Sequence, residues 1–288
     1  MAGWLLVAPT VIFLIAVFAY PVVSTAITSL QKAKLQKPGE ARFVGLDNYL
    51  DFFADPAFWQ AVWRTAYFTF VSVGLEVAIG IAIAAFLQRR YAGWRFLRLA
   101  VFVPWAVPTI AAATMFRWIY NADYGALNGL LLQLGLIDKY IPWLADPFSA
   151  MNMVIIADVW KSTPFVVLIV LAAMAGIPGD LYEAARIDGA SRWQSFWRVT
   201  LPLLKGAVLV VLVVRTVEAF RVFDMIYVLT GGGPANGTLV ISYVAYQETF
   251  RFFSLGRGAA ISFIISMFVL GAALVYLRLL STRREASR

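Results

Sequence analysis

A helix of about 20 mostly apolar residues crosses the roughly 30 Å hydrocarbon core of a bilayer. This sequence contains six stretches of that kind, at residues 4–30, 61–87, 99–120, 151–175, 203–229 and 259–280. Hydrophobic residues make up 61% of the chain and charged residues 14%, with mean hydropathy +0.78. Soluble domains carry about 25% charge, and a water-soluble fold of 288 residues could not hide so much apolar surface. The expected fold is therefore all-α and integral to a membrane, with six transmembrane helices in one domain, residues 1–288. A seventh apolar run, 240–253, is short and carries Gln247, Glu248 and Arg251. It is expected to be a helix on the outer side or dipping into the membrane. The first stretch starts almost at residue 1, lacks a basic leader and is too long for a signal-peptide core, so it reads as a retained helix. A short cytoplasmic extension before it stays open.

Composition removes much of enzymology. The chain has no cysteine and no histidine. Thiolate metal sites, disulfides and Cys nucleophiles are gone, together with the commonest metal ligand and the commonest general base. No catalytic residue and no metal site are expected. The net charge of +8 reads as loop charge that sets membrane orientation, not as a nucleic-acid surface. The link between spans two and three holds Arg89, Arg90, Arg95 and Arg98 and no acid. Arg186, Arg192, Arg198 and Lys205 lie between spans four and five, and Arg283, Arg284 and Arg288 follow span six. The link between spans three and four has Lys139 against Asp123, Asp138 and Asp146. Both termini are expected on the cytoplasmic side.

Residues 176–202 form a link too long for a plain connection. Asp180 with Glu183, and Ser191 with Gln194, have capping-box spacing, and Gly189 stands between them where a helix would end. Two short helices and a sharp turn are expected. Leu181, Tyr182, Ala185, Ile187, Trp193, Phe196 and Trp197 give the segment an apolar face suited to docking.

The pattern Glu183-Ala184-Ala185, Gly189, Leu201-Pro202 resembles the EAA loop of binding-protein-dependent ABC importer permeases. Further matches are Tyr20-Pro21, Tyr124-Gly125 with Asn128, and Asp224-Met225-Ile226-Tyr227 before Thr230-Gly231-Gly232-Gly233-Pro234. Together they resemble the sugar-permease branch, the maltose- and trehalose-type importers, over essentially the whole chain. The resemblance implies that 176–202 is a cytoplasmic coupling loop, with Glu183, Ala184, Ala185 and Gly189 engaging an ATPase. It implies four kinds of partner: a second and different permease chain, two copies of a cytoplasmic ATPase, an extracytoplasmic sugar-binding protein, and membrane lipid. It places the chain in the inner membrane of a prokaryote. No GxxxxGK[ST] motif is present. ATP and magnesium would then be bound by the ATPase, and this chain would hold no cofactor.

Ionisable residues at membrane depth are costly and mark functional hypotheses. Glu76, Asp158, Lys161 and Glu218 all fall near the middle of their spans. Asp158 and Lys161 are one turn apart and can pair, and Arg215, Glu218, Arg221 and Asp224 can pair along a ridge. This predicts either a packing network or a wet cavity with balanced charge and interleaved rings, among them Trp105, Trp118, Phe220 and Tyr227. Balanced charge with rings suits neutral sugars. In the resembling branch, sugar contacts come from the spans on either side of the EAA loop. The matching stretches are 160–165 and 218–222, which implies substrate contacts for Trp160, Ser162, Phe165, Glu218, Ala219 and Arg221. Pro104, Pro108 and Pro164 could act as hinges or static kinks. The expected function is a sugar permease, for a di- or oligosaccharide such as trehalose or maltose. The alternatives are a permease for glycerol phosphate or another polyol, an ion-coupled secondary carrier, and a membrane-embedded enzyme. The capped loop counts against the carrier, and the absence of His and Cys against the enzyme.

Overall fold

The computed structural model describes residues 2–88 and 93–285. The orienting cations Arg89, Arg90 and Arg288 lie outside the described residues. In chain order the structure runs α1 (Ala2–Leu14), a π-helical turn (Ile15–Ala19) and α2 (Tyr20–Ser29). The strands β1 (Gln31–Lys34) and β2 (Lys37–Phe43) follow, then α3 (Asp47–Ala54) and α4 (Pro56–Leu87). Next come α5 (Trp94–Ala106), α6 (Thr109–Ile119), α7 (Ala126–Gln133) and α8 (Pro147–Ala175). The loop region holds α9 (Gly179–Ile187), α10 (Arg192–Ser195), a π turn (Phe196–Thr200) and α11 (Leu201–Leu203). The chain closes with α12 (Lys205–Phe220), α13 (Asp224–Leu229), α14 (Ile241–Tyr246), a π turn (Gln247–Arg251) and α15 (Leu255–Glu285).

Four helices are long and apolar enough to cross a membrane: Val7–Ser29, Pro56–Leu87, Pro147–Ala175 and Leu255–Tyr276. Two further stretches qualify only as bent pairs, Trp94–Ala106 with Thr109–Ile119 at 98° and Arg192–Leu203 with Lys205–Phe220 at 63°. The third expected span is thus broken in its middle. Pro108 offers no N–H and pushes Val107 into extended backbone (φ −74°, ψ 128°), which ends α5. Pro104 and Pro164 sit inside continuous helices. The fifth expected span is also interrupted. The N–H groups of Arg221 and Val222 fall back on carbonyls three residues earlier, and helix resumes only at Asp224.

The chain divides into two compact units, Met1–Trp63 with Val240–Phe268 and Arg64–Leu239 with Val269–Arg288. In the first, the hairpin β1–β2 departs from the all-α expectation. Lys32 pairs with Arg42 across it, and no apolar period signals it in the sequence. Its partners are tertiary. The Asn48 amide donates to the carbonyls of Ser29 (2.8 Å) and Gln31 (3.0 Å), and the Leu35 N–H donates to the Phe253 carbonyl at 2.9 Å. Arg257 fastens the same corner. Its Nε donates to Glu248 at 3.0 Å and its Nη1 to Asp51 at 3.1 Å, and its guanidinium lies over the Phe52 ring. Gly256 permits the contact, because a Cβ there would stand 1.8 Å from the Gln31 carbonyl oxygen. The apolar run 240–253 forms α14 and its π turn, a short helix as expected.

The core of the second unit is aliphatic. Ala84 and Leu87 of α4 pack against Val166, Val167, Val170 and Met174 of α8, with Leu204 and Val211. Gly80 lets α4 and α8 approach closely, since a Cβ there would meet Val166 at 2.6 Å. Asp146 caps α8 by accepting from the Ser149 N–H at 2.9 Å.

Candidate functional site

Three helices of the second unit bring one guanidinium and three carboxylates together. Arg215 on α12 meets Glu76 on α4 as a two-pronged fork, with Nε donating to Oε2 at 2.6 Å and Nη2 to Oε1 at 2.8 Å. Nη2 also donates to Asp158 on α8 at 3.3 Å, and Nη1 to Glu218 at 2.5 Å. Glu76 is wholly buried and Arg215 nearly so, whereas the Glu218 side chain is 58% exposed. A bidentate Arg–carboxylate pair is the strongest geometry for such burial. Removing one member of a buried pair costs about 3–5 kcal/mol, because the other charge is left unpaired.

Beside this hub lies a cavity of about 330 Å³, at the small end of the range for ligand sites. Helix α8 lines it with Asp158, Lys161, Ser162 and Phe165, and α12 with Arg215, Glu218 and Ala219. The unwound Arg221, Val222 and Phe223 lead on to Asp224 and Met225, and Trp105 and Thr109 flank the α5–α6 break. Non-helical backbone inside a membrane is tolerated where it lines a cavity, and the unwound residues 221–223 do line this one.

Of the residues singled out from the sequence, Ser162, Phe165, Glu218, Ala219 and Arg221 line the cavity. Trp160 does not. Its ring packs edge-on against Phe116, with centroids 5.3 Å apart. The ring beside Phe165 is Trp105, at 6.3 Å. The expected Asp158–Lys161 pair is replaced by Asp158–Arg215. The ridge of alternating charges holds for Arg215–Glu218 and then stops, because the helix ends at Phe220. Among the described residues, no ion pair within 4 Å includes Lys161 or Arg221. The side chains with donors that line the cavity outside the hub are Trp105, Thr109, Lys161, Ser162 and Arg221. Sequence reasoning missed the link between Glu76 and Arg215, which are 139 positions apart. Depth counting put Glu76 near mid-span, and spacing put Arg215 on the charged ridge of its own span, but neither paired the two. Thr109 carried no signal at all.

The loop after α8 has the two expected helices with one difference at its start. Helix α9 begins at Gly179 behind Pro178, and no side chain caps it. Asp180 thus sits inside the first turn instead of capping, and Pro178 (φ −58°, ψ 135°) holds the N-cap position. The second capping box forms, with the Gln194 N–H donating to Ser191 Oγ at 3.3 Å and the Ser191 N–H to Gln194 Oε1 at 2.7 Å. Gly189 has φ +77°. The Ala190 N–H donates to the Ala185 carbonyl and the Gly189 N–H to that of Arg186, the two bonds of a Schellman turn. Glu183, Ala184 and Gly189 are exposed and Ala185 half-buried. Ile187 is 87% exposed. A hydrogen bond of 3.0 Å between Tyr182 and Thr200 ties α9 to the segment after the turn.

The glycine run after α13 is a closed loop. Gly231 and Gly232 have positive φ, and the Gly233–Pro234 peptide is cis. Thr238 Oγ1 donates to the Gly233 carbonyl at 2.7 Å and meets Thr230 Oγ1 at 2.7 Å. Gly237 packs on Pro147, where a Cβ would come within 2.3 Å. Asn128 organises the loop after α7. Its amide nitrogen donates to the Asn121 and Ile141 carbonyls, and its oxygen accepts from the Ile141 N–H and Trp143 Nε1.

Residues 76–286 match the family described as binding-protein-dependent transport system inner membrane component. The chain is 43% identical to the trehalose/maltose transport system permease protein MalF of Thermococcus litoralis, over 98% of this chain and 95% of that one. It is 37% identical to the trehalose transport system permease protein SugA of Mycobacterium tuberculosis, over 96% and 88%. It is 34% identical to the sulfoquinovosyl glycerol transport system permease protein SmoG of Agrobacterium fabrum, over 97% and 90%. Its fold is similar to that of a bacterial alginate ABC transporter chain, crystallised with an alginate pentasaccharide-bound periplasmic protein. The TM-score is 0.82 at 24% identity, covering 96% of this chain and 93% of that one.

Proposed function

Because the chain belongs to the family of binding-protein-dependent transport system inner membrane components, we propose that it is a permease subunit of an ABC sugar importer. It forms half of the path for a di- or oligosaccharide such as trehalose or maltose. In this reading the whole chain is one membrane domain of six spans, with the broken pair α5–α6 counted as the third, the interrupted stretch 203–229 as the fifth, and both termini in the cytoplasm. Residues 176–202 are the coupling loop. Glu183, Ala184, Ala185 and Gly189 present the surface that meets the ATPase, and the Schellman turn fixes the angle between its two helices. ATP and magnesium belong to two ATPase copies. A second, different permease completes the path, and a sugar-binding protein delivers substrate from outside.

The observation that carries this reading is the cavity beside Arg215, walled by the helices before and after the loop. Motion of the loop is transmitted directly to both walls. In the cavity Arg215 is neutralised by its own carboxylates, so Glu218, Lys161, Arg221 and Ser162 offer donors and acceptors to sugar hydroxyls. Phe165, beside Trp105, offers a ring face to the sugar C–H groups. The test is uptake by the reconstituted complex across a panel of disaccharides, with glycerol phosphates as the contrasting class. Uptake of a disaccharide with matching ATPase stimulation is expected. Uptake of the glycerol phosphates alone would replace this reading.

A further inference from the structure

A second and larger cavity in the same unit lies away from the polar hub. It is an apolar groove of about 830 Å³, floored by Ala78, Ile81, Ala82 and Ala85 of α4 and walled by Trp193, Phe196 and Trp197, with Arg192 among its lining residues. The three rings pack on one another, with centroids 5.5 to 6.2 Å apart, so the wall is a built surface. Three of the four floor residues are alanines, which keeps the floor low beneath the aromatic wall.

Two observations identify the occupant. The first is depth. The floor runs from Ala78 to Phe86, about 12 Å of helix at 1.5 Å per residue. That is close to the ~15 Å thickness of one leaflet's hydrocarbon. The second is charge. Residues 191–205 carry Arg192, Arg198 and Lys205, all exposed, and no acid. A slot that is apolar along its floor, with Arg192 as the cation in its lining, complements an acyl chain under an anionic headgroup. Tryptophans such as Trp193 and Trp197 are the residues favoured at that boundary. We propose that this groove is a binding site for a membrane phospholipid with an anionic headgroup. The acyl chain lies along α4 between Ala78 and Phe86, and the headgroup phosphate meets Arg192. Because the aromatic wall continues from the loop after Gly189, a seated lipid braces the second half of that loop against α4.

The test uses the full-length chain in phosphatidylcholine vesicles, doped with phosphatidylglycerol carrying a photoreactive diazirine on its acyl chain. Phosphatidylcholine with the same diazirine is the matched probe. Mass spectrometry of the peptides should find adducts within 78–86 and 192–201. They should be about fivefold more abundant for the phosphatidylglycerol probe, as one arginine near an anionic surface implies. Arg192→Gln should abolish that preference and leave the adducts. Ala82→Trp should abolish the adducts with either probe. Equal labelling by the two probes would overturn the proposal, and so would absence of adducts from both peptides. Benzoylphenylalanine at position 82 that cross-links to another protein instead of lipid would do the same. Association with the ATPase is scored separately by co-purification, so a failed lipid site and a failed permease reading give different results.

Discussion

At the scale of single residues, the central feature is a charge arrangement that only three helices together can satisfy. Glu76 is buried completely, and among the described residues its ion-pair partner is Arg215, through the two-pronged fork. Glu76→Ala should therefore destabilise the protein by about 3–5 kcal/mol, seen as loss of the folded monomer in detergent by fluorescence-detected size exclusion. Glu76→Gln keeps the shape and a hydrogen bond to Arg215, and should recover part of that loss. Trp160 and Phe165 separate in the same way. Trp160 packs on Phe116 and Phe165 lines the cavity. Phe165→Ala should raise the sugar concentration needed for half-maximal uptake with assembly retained, while Trp160→Ala should act on stability and leave the sugar dependence alone. A common effect of both on sugar dependence would contradict this division. Much of the site was legible in the sequence, because an ionisable residue inside an apolar run is conspicuous wherever it falls. The choice of partners was not legible. Asp158 has Lys161 one turn away on its own helix, yet Arg215 reaches it from another helix, and no local spacing rule carries that information.

At the scale of elements, the turn at Gly189 and the corner at Gly256 are two places where backbone decides the outcome. Gly189 holds φ +77°, which a β-branched residue adopts only with strain. Gly189→Val should disrupt the Schellman turn and weaken co-purification with the ATPase, with membrane insertion unchanged. Gly256→Ala would drive a methyl into the Gln31 carbonyl. Overpacking of this kind costs about 1–3 kcal/mol, so the hairpin corner should become protease-sensitive. Gly39→Ala, with open space around its Cβ position, is the neutral control. Helix existence was readable from apolar length, and the capping box at Ser191 from the three-residue step to Gln194. The start of α9 was misread, because Pro178 outcompetes Asp180 as the point of entry. The hairpin was invisible, because its strands are held by Asn48 and Phe253 and not by a period of their own.

At the scale of the whole molecule, orientation is the property that follows most directly from charge. The chain has no cysteine, so introduced thiols report cleanly. Arg95→Cys should react with an impermeant maleimide only from the cytoplasmic side, and Leu136→Cys only from outside. Reaction of both from one side would overturn the six-span arrangement. The account as a whole turns on whether the cavity beside the Arg215 hub is where sugar sits. The most direct measurement is the sugar dependence of uptake by reconstituted Arg221→Gln, because Arg221 lines the cavity but belongs to none of the hub's ion pairs. Arg221 is exposed in the sugar-free chain, and a hydrogen bond from a charged donor to a sugar hydroxyl is worth about 1.5–3 kcal/mol, which is roughly a tenfold to hundredfold rise in the half-saturating sugar concentration. The account predicts that rise with normal assembly and unchanged basal ATPase activity, and a normally assembled Arg221→Gln complex with the wild-type sugar dependence would contradict it.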